Sequence, residues 1–239
     1  ENKAALIYAT MLLPFGATQL VTTDFLLAAA LSVAMMAWLE SRFGNPVHSI
    51  RWVWLMWLGF GLGFLIKGPP ALLPLLVVIA STRLLPASAG RSAFHWSGLL
   101  VFALVALPWY LAVTQNVDGL LDYFLGKEIV ERVTSSDLGR HGEWYGWLQI
   151  YLPTLVIGSL PWSWHVWRWL RSLGSGFRDR SKRADRARDS FGLILFLWVA
   201  LPLIVFCLAR SRLPLYLLPL FTPLALIVSR QMRIDGKVF

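Results

Sequence analysis

Charge and cysteine are what this chain has least of. Only 15% of its 239 residues are charged, where a soluble domain carries about 25%. That shortage excludes a disordered chain, a coiled coil and an ordinary soluble enzyme. One cysteine, Cys207, sits inside an apolar run, so neither an internal disulfide nor a cysteine metal cluster is available. H-E-x-x-H, P-loop and G-x-S-x-G signatures are absent. So are internal repeats and the ten-residue alternation of a membrane β-barrel. No basic leader with a cleavage site precedes the first apolar run, which excludes a signal peptide. Starting at Glu1, the chain reads as the middle or C-terminal part of a longer protein.

What is present is apolar. The composition is 57% hydrophobic with a mean hydropathy of +0.60 and 13 tryptophans, which suits spans of about 20 residues with interfacial aromatic belts. Apolar runs fall near 4–21, 25–39, 52–66, 70–82, 97–114, 147–170, 191–208 and 213–228. The expected fold is all-α: a polytopic transmembrane bundle of about eight spans, with 1–239 as one transmembrane domain. The third and fourth runs, split by Lys67-Gly68-Pro69-Pro70, read as two helices because together they are too long for one span.

Segment 171–190 holds seven Lys/Arg, which makes it a cytoplasmic loop and a contact for anionic lipid. Alternation then places 14 Lys/Arg in inner loops and 6 in outer ones. The net charge of +9 thus reflects topology, and nucleic acid is not an expected partner. Asp24, Lys67, Arg210 and Arg212 all fall at span ends on the outer side. So does the long loop 115–146, which carries six of the thirteen acids. It is expected to be partly helical and to lie over the outer mouth as a lid.

Each of these residues has a plain reading and a functional one. Asp24 fits a helix N-cap or a cavity group that orients sugar hydroxyls or a cation. Lys67 fits a snorkelling lysine or a phosphate contact beside a Gly-Pro-Pro turn. Arg210-Ser211-Arg212 runs against the positive-inside bias, and paired guanidinium donors suit phosphate oxygens. Tyr216 is an interfacial anchor or a headgroup contact. In the outer loop, Arg132 stands four residues after Glu128, the spacing of a surface ion pair. His141 and Glu143 are two metal candidates where a site needs more. No cofactor is expected, and a divalent metal has no support. His48, His95 and His165 read as structural.

Taken in order, several stretches resemble the polytopic GT-C glycosyltransferases of the lipid A aminoarabinose transferase and dolichyl-phosphate-mannose–protein mannosyltransferase group. They are Thr22-Thr23-Asp24-Phe25-Leu26, Leu65-Ile66-Lys67-Gly68-Pro69-Pro70-Ala71-Leu72 and Leu107-Pro108-Trp109-Tyr110. Next come Tyr123-Phe124 with Glu128, Arg132 and His141, then Tyr151-Leu152-Pro153 and Gly158-Ser159-Leu160-Pro161-Trp162. The last is Ala209-Arg210-Ser211-Arg212-Leu213-Pro214-Leu215-Tyr216-Leu217-Leu218-Pro219.

The resemblance implies a sugar donor carried on a polyprenyl phosphate and a lipid A-like or protein acceptor. The reaction would take place at the outer face of a bacterial inner membrane. It implies substrate contacts at Asp24, Lys67, Arg132, His141, Arg210, Arg212 and Tyr216. The family's catalytic acids would lie upstream of Glu1, which leaves this piece inactive alone. Arg212 stands where the aminoarabinose transferases tend to carry a lysine, and His141 is followed by Gly-Glu-Trp-Tyr; these departures leave sugar and acceptor open. A secondary transporter and a structural membrane subunit are the alternatives.

Overall fold

The computed structural model describes residues 2–86, 90–116, 145–178, 189–209, 211–234 and 236. Among them every regular element is helical: α1 (Asn2–Thr10), α2 (Leu12–Ala17), α3 (Thr23–Phe43), α4 (Ser49–Lys67), α5 (Leu75–Leu84), α6 (Trp96–Asn116), α7 (Gly146–Gly158), α8 (Ser163–Arg178), α9 (Ser190–Leu208) and α10 (Phe221–Ile234). Three 3-10 segments, Pro46–His48, Pro69–Leu72 and Pro214–Leu220, join them.

Five stretches are long and apolar enough to cross a membrane: Thr23–Phe43, Pro46–Lys67, Trp96–Asn116, Ser190–Leu208 and Pro214–Arg233. This is a multi-pass membrane protein, with five such stretches among the described residues where the apolar runs suggested about eight. Proline accounts for much of the difference. Run 4–21 breaks after Thr10, where Met11 turns extended; a helix continued through Pro14 would set its ring against the Thr10 carbonyl. Run 147–170 breaks between Gly158 and Ser163, around the cis Leu160–Pro161 peptide. Run 70–82 begins as a 3-10 turn and leaves only ten residues for α5. The Lys67-Gly68-Pro69-Pro70 punctuation does separate two helices: Gly68 takes φ +72°, a backbone state open to glycine at little cost.

The chain divides into two compact units. One comprises Thr23–Glu143 and Leu208–Ser211, and its core is α3 packed along α4, with α6 on another face of α4. Close approach of α3 and α4 depends on Gly59. A Cβ there would lie 2.9 Å from the Ala30 carbonyl oxygen and 2.9 Å from the Ala34 Cβ. Gly59→Leu should therefore push the helices apart and cost about 1–3 kcal/mol, read as a lowered thermal midpoint of the detergent-solubilised protein. An unchanged midpoint would mean that the two helices do not pack this closely. Trp57 is 4% exposed, donates from Nε1 to the Ala93 carbonyl at 2.7 Å and meets Phe60, Phe94 and Phe102 at ring-centroid distances of 5.7–6.0 Å. Leu99, Leu100, Leu104, Leu107, Trp109 and Leu111 of α6 are exposed, as an element surrounded by lipid requires.

The second unit comprises Glu1–Thr22, Trp144–Cys207 and Arg212–Phe239. In it α1 and α8 pack on α10, while α2 and α7 contact each other and the 3-10 segment Pro214–Leu220. At the start of α9 the Asp189 carboxylate accepts from the Gly192 N–H at 2.9 Å, the role of an N-cap, and pairs with Arg230 of α10 at 2.7 Å. The start of α9 and the last turns of α10 therefore share one end of this unit, as an antiparallel pair should. Arg212 follows α9 at its other end.

Candidate functional site

The candidate residues fall into two polar clusters, one in each unit. In the α3–α4–α6 unit, Asp24 lies in the first turn of α3 and Lys67 is the last residue of α4. The Lys67 ammonium donates to Asp24 Oδ1 as an ion pair, with the two side chains only 16% and 14% exposed. Both charges suit their helix ends, the carboxylate at a positive N-terminus and the ammonium at a negative C-terminus. Of the roles open to Asp24, holding a cation is therefore the one seen. Gly68 closes α4 by donating its N–H to the Phe64 carbonyl at 2.7 Å. The same carbonyl accepts from Tyr110 Oη at 3.0 Å, and the Phe64 and Tyr110 rings sit 5.0 Å apart. Tyr110 thereby pins the turn that aims Lys67.

In the other unit the polar cluster forms where α9 stops. Arg212 is 3% exposed, and its Nη2 donates to the Cys207 carbonyl at 3.0 Å, satisfying one of the acceptors that every helix C-terminus leaves open. Tyr216 lies in the following 3-10 segment, where Pro214 and Pro219 lack the N–H groups of a regular α-helix. The Phe206 ring stands between Tyr216 at 6.5 Å and Tyr151 at 6.4 Å. Tyr151 of α7 is 1% exposed, its hydroxyl has no hydrogen-bond partner among the described residues, and it is in electrostatic reach of Arg212, Cys207 and Tyr216.

Asp24 and Lys67 are thus brought together, and Arg212 and Tyr216 share the second cluster. Arg132, His141 and Arg210 lie outside the described residues, as do most of the lid segment 115–146 and half of the basic segment 171–190, whose first residues continue α8 as far as Arg178 where a loop was expected. Tyr110 and Tyr151 were not singled out as site residues by their sequence alone. Each is a tyrosine two residues from a proline that its helix carries without breaking, Pro108 or Pro153; Tyr151 is buried and Tyr110 half-buried, and an exposed belt aromatic would be neither. Among the described residues no three His, Cys, Asp or Glu side chains gather as metal ligands. The histidines make local contacts: His95 Nδ1 lies 2.8 Å from Ser97 Oγ, and the His165 ring is 5.8 Å from that of Trp162.

A multi-pass helical membrane protein with largely buried charges at its helix ends is the class that fold and sites define. No family model matches the chain. It is 31% identical over 232 residues to undecaprenyl phosphate-alpha-4-amino-4-deoxy-L-arabinose arabinosyl transferase 1 of Sodalis glossinidius, across 95% of this chain and 38% of that protein. It is 28% identical over 229 residues to the corresponding transferase of Erwinia tasmaniensis, across 95% of this chain and 39% of that one. The fold matches the crystal structure of ArnT from Cupriavidus metallidurans bound to undecaprenyl phosphate with a TM-score of 0.73 at 24% identity, covering 98% of this chain and 42% of that one. The chain thus spans about two fifths of the length of these relatives. Over that span the chain is similar to the polytopic glycosyltransferases of the aminoarabinose transferase group.

Proposed function

We propose that this chain forms part of a membrane glycosyltransferase that moves a sugar from a polyprenyl-phosphate donor to a lipid A-like or protein acceptor at the outer face of a bacterial inner membrane. The observation that carries the reading is the placement of Arg212, a guanidinium 3% exposed at the end of an apolar helix, in a chain whose relatives are named as transferases using an undecaprenyl-phosphate sugar. When the bond between sugar and phosphate breaks, negative charge grows on the departing phosphate oxygen. A fixed cation in a water-poor site stabilises that charge without having to reorganise. The apolar helices offer a surface for the isoprenoid tail.

The test is a transfer assay in membranes containing the full-length protein, supplied with undecaprenyl-phosphate aminoarabinose and lipid A. The expected product is lipid A heavier by one aminoarabinose residue. Absence of transfer from this donor and from other polyprenyl-phosphate sugars would remove the reading.

Sidedness is part of the proposal. Segment 171–190 faces the cytoplasm and binds anionic lipid, and 115–146 faces outward, because Lys/Arg concentrate in the first set of loops. Single cysteines placed at Ser135 and Ser181 should react differently with an impermeant thiol reagent in spheroplasts. Ser135→Cys is expected to label and Ser181→Cys to stay protected; the reverse pattern would invert the topology.

A further inference from the structure

We propose that Tyr151 is a donor-binding residue: its buried hydroxyl donates a hydrogen bond to the phosphate of a polyprenyl phosphate held by Arg212. This rests on the glycosyltransferase reading and extends it to a side chain with no assigned role.

A phenol hydroxyl removed from water without a partner costs free energy, and phenylalanine would fill nearly the same space without that penalty. Tyr151 is 1% exposed and its Oη has no hydrogen-bond partner among the described residues. Its ring is already packed on Phe206, so hydrophobic packing alone does not call for an oxygen. Surroundings narrow what that oxygen meets. Arg212 and Tyr216 belong to the same unit and lie within electrostatic reach of it. Next to a guanidinium the phenol oxygen turns its lone pairs toward the cation and its proton away from it. An anion is the species that satisfies an O–H and a cation together. The phosphate of a lipid whose tail runs along apolar helices combines that anion with access to a buried site.

Tyr151→Phe separates this from a packing role. Binding of undecaprenyl phosphate and of undecaprenol is measured on the full-length protein in detergent, together with the thermal midpoint of the ligand-free protein. Tyr151→Phe should weaken undecaprenyl phosphate about tenfold, equivalent to about 1.4 kcal/mol. It should leave undecaprenol unchanged, and the ligand-free midpoint should stay or rise. Equal affinity for undecaprenyl phosphate in both proteins, or an equal loss for undecaprenol, overturns the proposal. Arg212→Ala is run in parallel. If it loses undecaprenyl phosphate while Tyr151→Phe does not, Tyr151 alone is misassigned; if neither variant loses it, the phosphate site itself is misplaced.

Discussion

Lys67→Met alone should destabilise the protein by about 3 kcal/mol, and Asp24→Leu alone by a similar amount, while the double variant should return to within about 1 kcal/mol of the parent. Breaking one side of a buried ion pair strands the other charge away from water, a loss of about 3–5 kcal/mol for a fully enclosed pair. Here the side chains keep 16% and 14% of their exposure, so the lower end applies. Replacing both by apolar side chains of similar size strands nothing. The measurement is the thermal midpoint of each solubilised variant, combined in a double-mutant cycle. Additive single effects would mean that Asp24 and Lys67 do not act as a pair. Transfer activity then divides the two readings of Lys67. If the lysine only ties the start of α3 to the end of α4, the double variant regains activity with stability. If its ammonium contacts a substrate, the double variant is stable but transfers at least a hundredfold more slowly. The second outcome is expected, because Gly68 and Tyr110 fix the turn behind Lys67 more tightly than a helix tie needs.

That pair also marks how far a one-dimensional reading reaches. Composition and apolar runs identify a helical membrane protein because lipid leaves helices and closed barrels as the ways to satisfy a spanning backbone. One helix end was legible from its punctuation, at Gly68-Pro69-Pro70. The breaks at Pro14 and Pro161 lie inside stretches that read as single apolar runs. Proline within an apolar helix is common in membranes, and α6, α7 and α9 each keep one, so the residue type alone does not say which proline breaks its helix. Asp24 and Lys67 stood out singly as charges beside apolar runs. Their pairing across 43 residues follows from the packing of α3 on α4, which small residues such as Ala30, Ala34 and Gly59 allow. Tyr151 was hidden for another reason. A tyrosine at a membrane interface and a tyrosine buried beside an arginine have the same neighbours in sequence, and only burial tells them apart.

Arg212→Ala should lower transfer by two to three orders of magnitude while costing the protein about 1 kcal/mol of stability. The structural part includes the bond that Arg212 donates to the Cys207 carbonyl at the end of α9. A charge-assisted helix cap of that kind contributes about 0.3–1 kcal/mol, up to about 2 when partly buried. The functional part is larger because a donor aimed at charge that develops in the transition state, in a site without water, typically changes turnover by about 10²–10³. Arg212→Lys separates the two. A lysine can still reach a carbonyl with its ammonium and restore the cap, but it lacks the planar fork that serves a carbonyl and a phosphate oxygen at once. Arg212→Lys should therefore recover the thermal midpoint almost completely and transfer only in part. Its deficit should appear in kcat more than in KM if the missing contact forms as the phosphate leaves. If Arg212→Ala instead loses stability and transfer in proportion, with Arg212→Lys recovering both together, Arg212 is a helix cap and the departing phosphate is stabilised by another group.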